Sequence, residues 1–398
     1  MSNQAENRMG RREALRSSAA TAGLLLLKPE TVFGTAANSA VELGLIGCGN
    51  RGLWIASLFV EHTGARFVAL ADVLRDRLEL GQQKLNVAPA RSHLGFNAYH
   101  ELISSKVDGV VIETPPYFHA EMVKAAVATG KHVFIAKPVA VDVPGCMSIQ
   151  ESGEKAKGKL SFLVDFQIRV RPAFQEAVAR VHRGDIGAPI LGHVFYHATH
   201  LGLRSRPGMP PAEARLRDWY WDRALSGDVI VERDIHVLDG ANWYLRSRPV
   251  KAYGTGGRKA HQHGVGDCWN HFIVTYWYPD EVKVDFSSAE FTRGYRDLCV
   301  RILGSAGTVD SHYGGAVNIH GDNPWQGTEK DDTGSGAIAN AKDFIESIRT
   351  GKYLNNVAES VESNLTAILG RMAAFSGRVV TWEEMLRNRE RYELNLKM

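Results

Sequence analysis

The chain reads as an α/β protein with two unlike halves. A doubly wound parallel sheet comes first, followed by an α+β domain built on a large, mostly antiparallel, open-faced sheet. Three observations carry this prediction. Short apolar runs alternate with helical patterns from Val41 to Phe166. After Ile168 the apolar runs follow one another with little more than turns between them. A glycine-rich turn joins the first run to the first helical pattern. Parallel neighbours need a long crossover, usually a helix that covers the sheet, whereas strands joined by turns pair antiparallel.

Each element follows from its local pattern. Val41 to Gly47 is a short strand that runs straight into glycines, and Arg51 to Glu61 carries Leu53, Ile55, Ala56, Phe59 and Val60 at helical spacing. Arg66 to Leu70 is the next strand, ending at Asp72, and Arg75 to Lys84 is helical. Asp108 to Ile112 is a strand broken by Pro115 and Pro116, and His119 to Thr129 is a helix closed by Gly130. His132 to Ile135, Cys146 to Lys157 and Leu160 to Phe166 continue as strand, helix and strand. In the second half, strands are expected at Pro189 to His200, Val250 to Tyr253, Trp269 to Tyr278, Val282 to Ser287 and Leu298 to Leu303. Helices are expected at Val231 to Leu245, Ala337 to Thr350 and Glu359 to Ser376, the last two folding back toward the first domain. The resulting division is a leader over 1–36, a first domain over 37–160 and a second domain over 161–398.

Composition excludes several classes. The 398 residues are 44% hydrophobic and 23% charged, enough apolar material for real cores and too much for a disordered chain. Met1 to Ala36 holds five Lys/Arg against three acids, so the remainder, with 42 basic and 41 acidic residues, is close to neutral. A nucleic-acid binder needs a concentrated basic face, and none is visible. The leader pairs Arg11-Arg12 with a short apolar stretch ending in Leu24 to Leu27, then the small residues Gly34-Thr35-Ala36-Ala37. It resembles a twin-arginine export signal, is too short to span a bilayer, and implies an extracytoplasmic protein with no membrane anchor once the signal is removed. Cys48, Cys146, Cys268 and Cys299 are scattered without a CxxC pair, so buried free thiols are expected and no metal site.

The first chemical signal is Gly47-Cys48-Gly49-Asn50-Arg51-Gly52, a G-x-G-x-x-G turn between a strand and a helix. Gly47 allows the tight turn, Gly49 lets backbone approach a pyrophosphate, and Gly52 lets strand and helix pack closely. The helix N-terminus that opens at Asn50 and Arg51 offers unpaired N–H groups to the phosphates. Asp72 follows at the spacing of the acid that takes ribose hydroxyls in a Rossmann domain. Its charge favours NAD, and Arg75 and Arg77 keep NADP open.

Two further segments complete a pattern. Glu113-Thr114-Pro115-Pro116-Tyr117-Phe118-His119 follows one strand, and Ala136-Lys137-Pro138 follows the next after Gly130-Lys131-His132-Val133. With Ser226 to Glu232, Arg233 to Asp239, and Asn356 to Thr381 (Ala367 to Arg371 and Gly377-Arg378 within it), the chain after the leader resembles the glucose–fructose oxidoreductase/inositol dehydrogenase (Gfo/Idh/MocA) family. The resemblance implies an NAD(P)-dependent oxidoreductase that moves a hydride between a secondary alcohol of a sugar or cyclic polyol and a tightly bound nicotinamide. It also implies a homo-oligomer joined through the open face of the second sheet. Thr114, Pro115, His119, Lys137 and Gln167 join the glycine turn and Asp72 as expected cofactor contacts. The family usually has Glu before Lys-Pro, where this chain has Ala136, and Asp where it has Glu232.

The chemistry also follows from the residues. Lys137 stands at the C-terminal end of a parallel strand, where such sheets bind ligands, and a cationic ring beside it lowers its pKa. Glu232, His236 and Asp239 share one face of the expected helix, so Glu232 is expected to orient the imidazole of a general base. Lys137, His236 and Glu232 are thus the expected catalytic set. Arg169, Asp239, Trp219 and His197 are expected near substrate, with core packing the alternative to a stacking surface for Trp219 and helix anchoring the alternative role of Asp239. His193 and His197 share a strand face while His200 points away; His261 and His263, in a glycine-rich loop, have no expected role. Two other functions compete: a redox-neutral glycoside-cleaving enzyme that uses bound NAD, and a non-catalytic nucleotide-binding sensor. Lys137 favours plain dehydrogenase chemistry, and the leader with the Lys137/Glu232/His236 set opposes a sensor.

Overall fold

The computed structural model describes residues 40–260, 265–328, 333–394 and 396. The leader, His261 and His263 lie outside them.

The first sheet has six parallel strands in the order β3-β2-β1-β4-β5-β6. They are β1 Glu42–Ile46, β2 Arg66–Asp72, β3 Ser92–Leu94, β4 Gly109–Ile112, β5 His132–Ala136 and β6 Phe162–Asp165. The crossovers are α1 Asn50–Thr63, α2 Arg75–Leu85, α3 Ala98–Ser104, α4 His119–Ala128 and α5 Val143–Ala156. Every residue of β4 and β6 is buried, as expected for strands covered on both faces. Strand order reverses between β1 and β4, which makes the crevice at their C-terminal ends the ligand position of such a sheet. Because β6 joins this sheet, the nucleotide domain extends past the boundary expected at residue 160.

The second sheet has nine strands in the order β14-β13-β12-β11-β7-β10-β9-β8-β15, and all neighbours but β7 and β10 are antiparallel. Its strands are β7 Pro189–His197, β8 Lys251–Gly257, β9 His271–Trp277, β10 Lys283–Ala289, β11 Asp297–Gly304, β12 Gly307–His312, β13 Val317–Gly321, β14 Trp325–Gln326 and β15 Val380–Thr381. Alternation sorts them into faces. Gly192, Val194 and Tyr196 of β7 are buried, whereas Ile273 of β9 and Tyr253 of β8 are exposed on the other side.

The buried face carries the later helices: α8 Val229–Glu232, α9 Ile235–Leu245 and α11 Val357–Ser376. α6 Pro172–His182 and α7 Pro211–Arg217 precede them, and α10 Thr333–Thr350 precedes α11. Close approach depends on small residues: a Cβ on Gly370 of α11 would meet the Tyr276 hydroxyl, and one on Gly240 of α9 would come 3.0 Å from Val300. α10 returns to the nucleotide domain, where Phe344 packs edge-on against Phe59 and Phe134 with centroids 6.1 and 5.6 Å away. The end of the chain therefore closes the core that its beginning opens. Cys48, Cys146, Cys268 and Cys299 are buried and free. Among the described residues no helix is long and apolar enough to cross a membrane.

Candidate active site

The groove along the β1–β4 crevice is lined by Gly47, Gly49, Asn50, Asp72, Thr114 and Pro115, among others. Gly47 has φ +96°, and a Cβ there would lie 2.7 Å from the Glu113 carbonyl oxygen. A Cβ on Gly52 would lie 2.0 Å from the Gly47 carbonyl oxygen, so only glycine allows α1 to pack on the turn. Gly49 faces open space, and no side chain caps the helix that starts after it. Asp72 accepts from the Cys48 and Leu74 amides at 2.6 and 2.8 Å, which ties its carboxylate to both loops; burial nonetheless raises its pKa. Uncovered backbone, uncapped N–H groups and a fixed acid at the end of β2 fit a nicotinamide dinucleotide. Arg77 donates to the Asn50 side chain at 2.8 Å, at the Asp72 end of the groove.

Lys137 opens the loop after β5 with its side chain 9% exposed. Its Nζ donates to the Glu232 carbonyl oxygen and lies 3.2 Å from Glu232 Oε1. Burial lowers the lysine pKa, Glu232 opposes that, and Arg51 adds to it. α11 fixes the loop from behind: the Asn364 side chain accepts from the Val139 and Ala140 amides at 2.8 and 3.3 Å and donates to the Ala140 carbonyl. Buried Arg371 donates to the carbonyls of Val141 and Gly227. These contacts tie residues near 364–371 to the Lys-Pro segment.

His236 is buried, and its Nδ1 has no hydrogen-bond partner. Burial, then Lys137, Arg51 and Arg233, hold its pKa well below the usual imidazole range, so the ring is neutral. Tyr313 stacks on it at 5.0 Å between centroids. The expected Glu232–His236 pair does not form. The helix is interrupted at Arg233 and Asp234, between α8 and α9, so Glu232 leaves the face of His236 and turns to Lys137.

Other expected contacts are placed differently. His119 sets Nδ1 3.0 Å from the Pro138 carbonyl and Nε2 2.9 Å from that of Thr114, so it ties two loops together rather than facing the groove; burial lowers its pKa to about 4. Gln167 donates to Asp165 and accepts from the Tyr313 hydroxyl at 2.8 Å, so it supports the ring stacked on His236. Arg169 forks onto Asp239 at 2.7 to 3.0 Å and Ser363 donates to the same carboxylate. Asp239 is therefore the anchor of α9, and Arg169 commits Nε and Nη2 to it. His197 lies on the open face of the second sheet, bonded to Ser287, because strand alternation sends it away from Tyr196 and the site. Trp219 lines the dinucleotide groove with Arg204, Leu216 and Arg217. Arg51 turns inward, 3.0 Å from Glu113 and ion-paired with Asp165.

Sequence reading passed over Glu113, Asp165 and Tyr313. Glu113 had a signal, a carboxylate immediately after a wholly apolar strand; Asp165 and Tyr313 are brought in only by packing. Among the described residues one group of three potential metal ligands occurs, Asp297, Cys299 and His312 on the open sheet face. His312 sits 2.8 Å from Asp297 and 3.3 Å from Asp310, and Arg301 pairs with Asp310, so the group is closed as an ion-pair network.

A dinucleotide crevice followed by a buried lysine and a neutral histidine defines a nicotinamide-dependent oxidoreductase. Comparison with known proteins makes the class specific. The model of the oxidoreductase family with an NAD-binding Rossmann fold matches residues 41–164, and that of the GFO/IDH/MocA C-terminal domain matches 174–310. Inositol 2-dehydrogenase 3 of Saccharopolyspora erythraea is 34% identical over 274 residues, 68% of this chain and 72% of that protein. The scyllo-inositol 2-dehydrogenase (NAD(+)) of Bacillus subtilis is 28% identical over 68% of this chain and 73% of its own length. The solved myo-inositol 2-dehydrogenase of Lactobacillus plantarum shares the fold, with a TM-score of 0.69, 21% identity and coverage of 86% of this chain and 99% of that one. The chain belongs to the Gfo/Idh/MocA family, and it is an NAD-dependent oxidoreductase.

Proposed function

We propose that this oxidoreductase acts on a secondary alcohol of a sugar or cyclic polyol, with Lys137 and His236 as its reacting groups. The observation that carries the reading is their joint burial, with Lys137 just past the C-terminal end of β5 and its charge close enough to depress the imidazole. NAD supplies the hydride acceptor. Neutral His236 takes the hydroxyl proton through its unpartnered nitrogen, Lys137 donates to the oxygen on which charge develops, and Glu232 holds Lys137 in place. The inositol dehydrogenases among the relatives support the substrate class. Lys137→Ala should slow hydride transfer while leaving cofactor binding nearly intact; full turnover on an inositol and aldose panel would remove the lysine from the mechanism.

The paired arginines of the leader support export in a folded state. An exported dehydrogenase meets no maintained NAD pool, so its nucleotide must stay bound and be reoxidised in place by a second substrate or a later step. Arg217 supports retention: it donates to Asp76 at 2.8 Å and so links α7 to α2 beside the groove. The purified protein should keep its dinucleotide through gel filtration and turn over with substrates alone. An empty protein that needs free NAD would favour a cytoplasmic dehydrogenase. The open face of the second sheet, with Ile273 and Tyr253 exposed, supports a homo-oligomer.

A redox-neutral glycoside cleavage is the second reading. It is supported by a glycosyl hydrolase family 109 protein of Streptomyces niveus, 36% identical over 30% of this chain and 25% of that protein. Release of a chromogenic leaving group without added cofactor would select it.

A further inference from the structure

We propose that Glu113 anchors the ribose on the nicotinamide side of the dinucleotide, as the counterpart of Asp72 across the glycine turn. The proposal rests on the dinucleotide and is independent of substrate class and export.

Sheet order places β2 on one side of β1 and β4 on the other. Asp72 closes β2 and Glu113 follows β4, so a carboxylate stands on each flank of the turn, Asp72 half-buried and Glu113 buried. A nicotinamide dinucleotide has the same layout, one ribose on either side of a pyrophosphate that belongs at the helix N-terminus. The register carries the argument further. Ile112 pairs with Ile135, so Glu113 follows β4 beside the place where Ala136 closes β5 and leads into Lys137.

The carboxylate is held and incompletely used. Its side chain is fully enclosed, Arg51 Nε stands 3.0 Å from Oε2, and Oε1 has no hydrogen-bond partner. Asp165 fixes the guanidinium from the other side, so the ion pair sets the direction of Glu113. A buried acceptor without a donor is costly, and Glu113 is part of the groove wall beside Gly47 and Thr114. A ribose hydroxyl is a neutral donor that suits such an oxygen, whose carboxyl pKa is pushed up to about 7 by burial against the pull of Arg51. Arg51 thereby acquires a role away from the phosphates, as the clamp of this carboxylate.

The test measures binding by calorimetry on nucleotide-free protein with NAD+, ADP-ribose and ADP, of which only ADP lacks the distal ribose. Glu113→Ala should weaken NAD+ and ADP-ribose by about tenfold or more and ADP by less than about twofold; Glu113→Gln, which keeps an acceptor, should fall between. Equal weakening of all three ligands would reduce Glu113 to a counter-ion of Arg51 and overturn the proposal, as would unchanged NAD+ affinity. A measurement on the unaltered protein removes dependence on the variants' folding. An NAD analogue without hydroxyls on the nicotinamide ribose should bind about tenfold more weakly than NAD+, and equal affinity would overturn the assignment. If the unaltered protein binds neither NAD+ nor ADP-ribose, the dinucleotide reading falls as well.

Discussion

Glu232→Gln isolates the contact on which the charge of Lys137 depends. The two groups are 3.2 Å apart, with side chains 9% and 8% exposed. Unit charges at that distance attract by about 5 kcal/mol at an effective dielectric of about 20. Breaking a buried pair commonly costs about 3–5 kcal/mol, and one pKa unit corresponds to about 1.4 kcal/mol. Burial and Arg51 already lower the lysine, and Glu232 is the force that opposes them. Removing its charge should therefore lower the pKa of Lys137 further. If Lys137 donates as a cation, the alkaline limb of the kcat/KM profile moves to lower pH. The amide preserves the shape, so NAD affinity near neutral pH should change by less than about twofold. The assay is the pH dependence of hydride transfer in single turnovers, followed by nicotinamide absorbance. An alkaline limb that stays in place would refute the electrostatic role of Glu232. An acidic limb that moves to lower pH instead would show that the lysine acts as a neutral base.

Asn364→Ala should cost about 2–4 kcal/mol of stability, because it strips partners from two buried amides and a carbonyl; chemical denaturation measures it. The same variant should lower kcat more than NAD affinity, since the loop it supports leads from Lys137. Gly52→Ala drives a Cβ to within 2.0 Å of the Gly47 carbonyl oxygen, so NAD affinity should fall by about tenfold or more in calorimetry. His312 is raised from 6.5 to about 11, chiefly by its bond to Asp310. Its contribution to stability is fully present below pH 6.5 and is lost as pH rises toward about 11. The stability difference between the native protein and His312→Gln should therefore shrink over that range, and a constant difference would mean the imidazolium is not held by its neighbours.

Local pattern determined the two kinds of sheet, the glycine turn, Asp72 at the end of β2 and Lys137 at the end of β5. Each depends on periodicity or spacing within a few tens of residues, and strand alternation or helical repeat is written directly into such stretches. The helix expected over Val231 to Leu245 shows where this reasoning stops. Its apolar spacing is right, but the interruption at Arg233 and Asp234 turns Glu232 from His236 toward Lys137, 95 residues earlier. Tertiary packing likewise gave Asp239 to Arg169, His119 to two loop carbonyls, and Glu113 to Arg51. It alone brought Asn364 beneath the Lys137 loop, across 225 residues. Buried polar groups must find partners wherever the folded chain supplies them, so their pairing is decided by which distant elements meet. Residue type and short-range order name the candidates, and only the assembled core chooses among them.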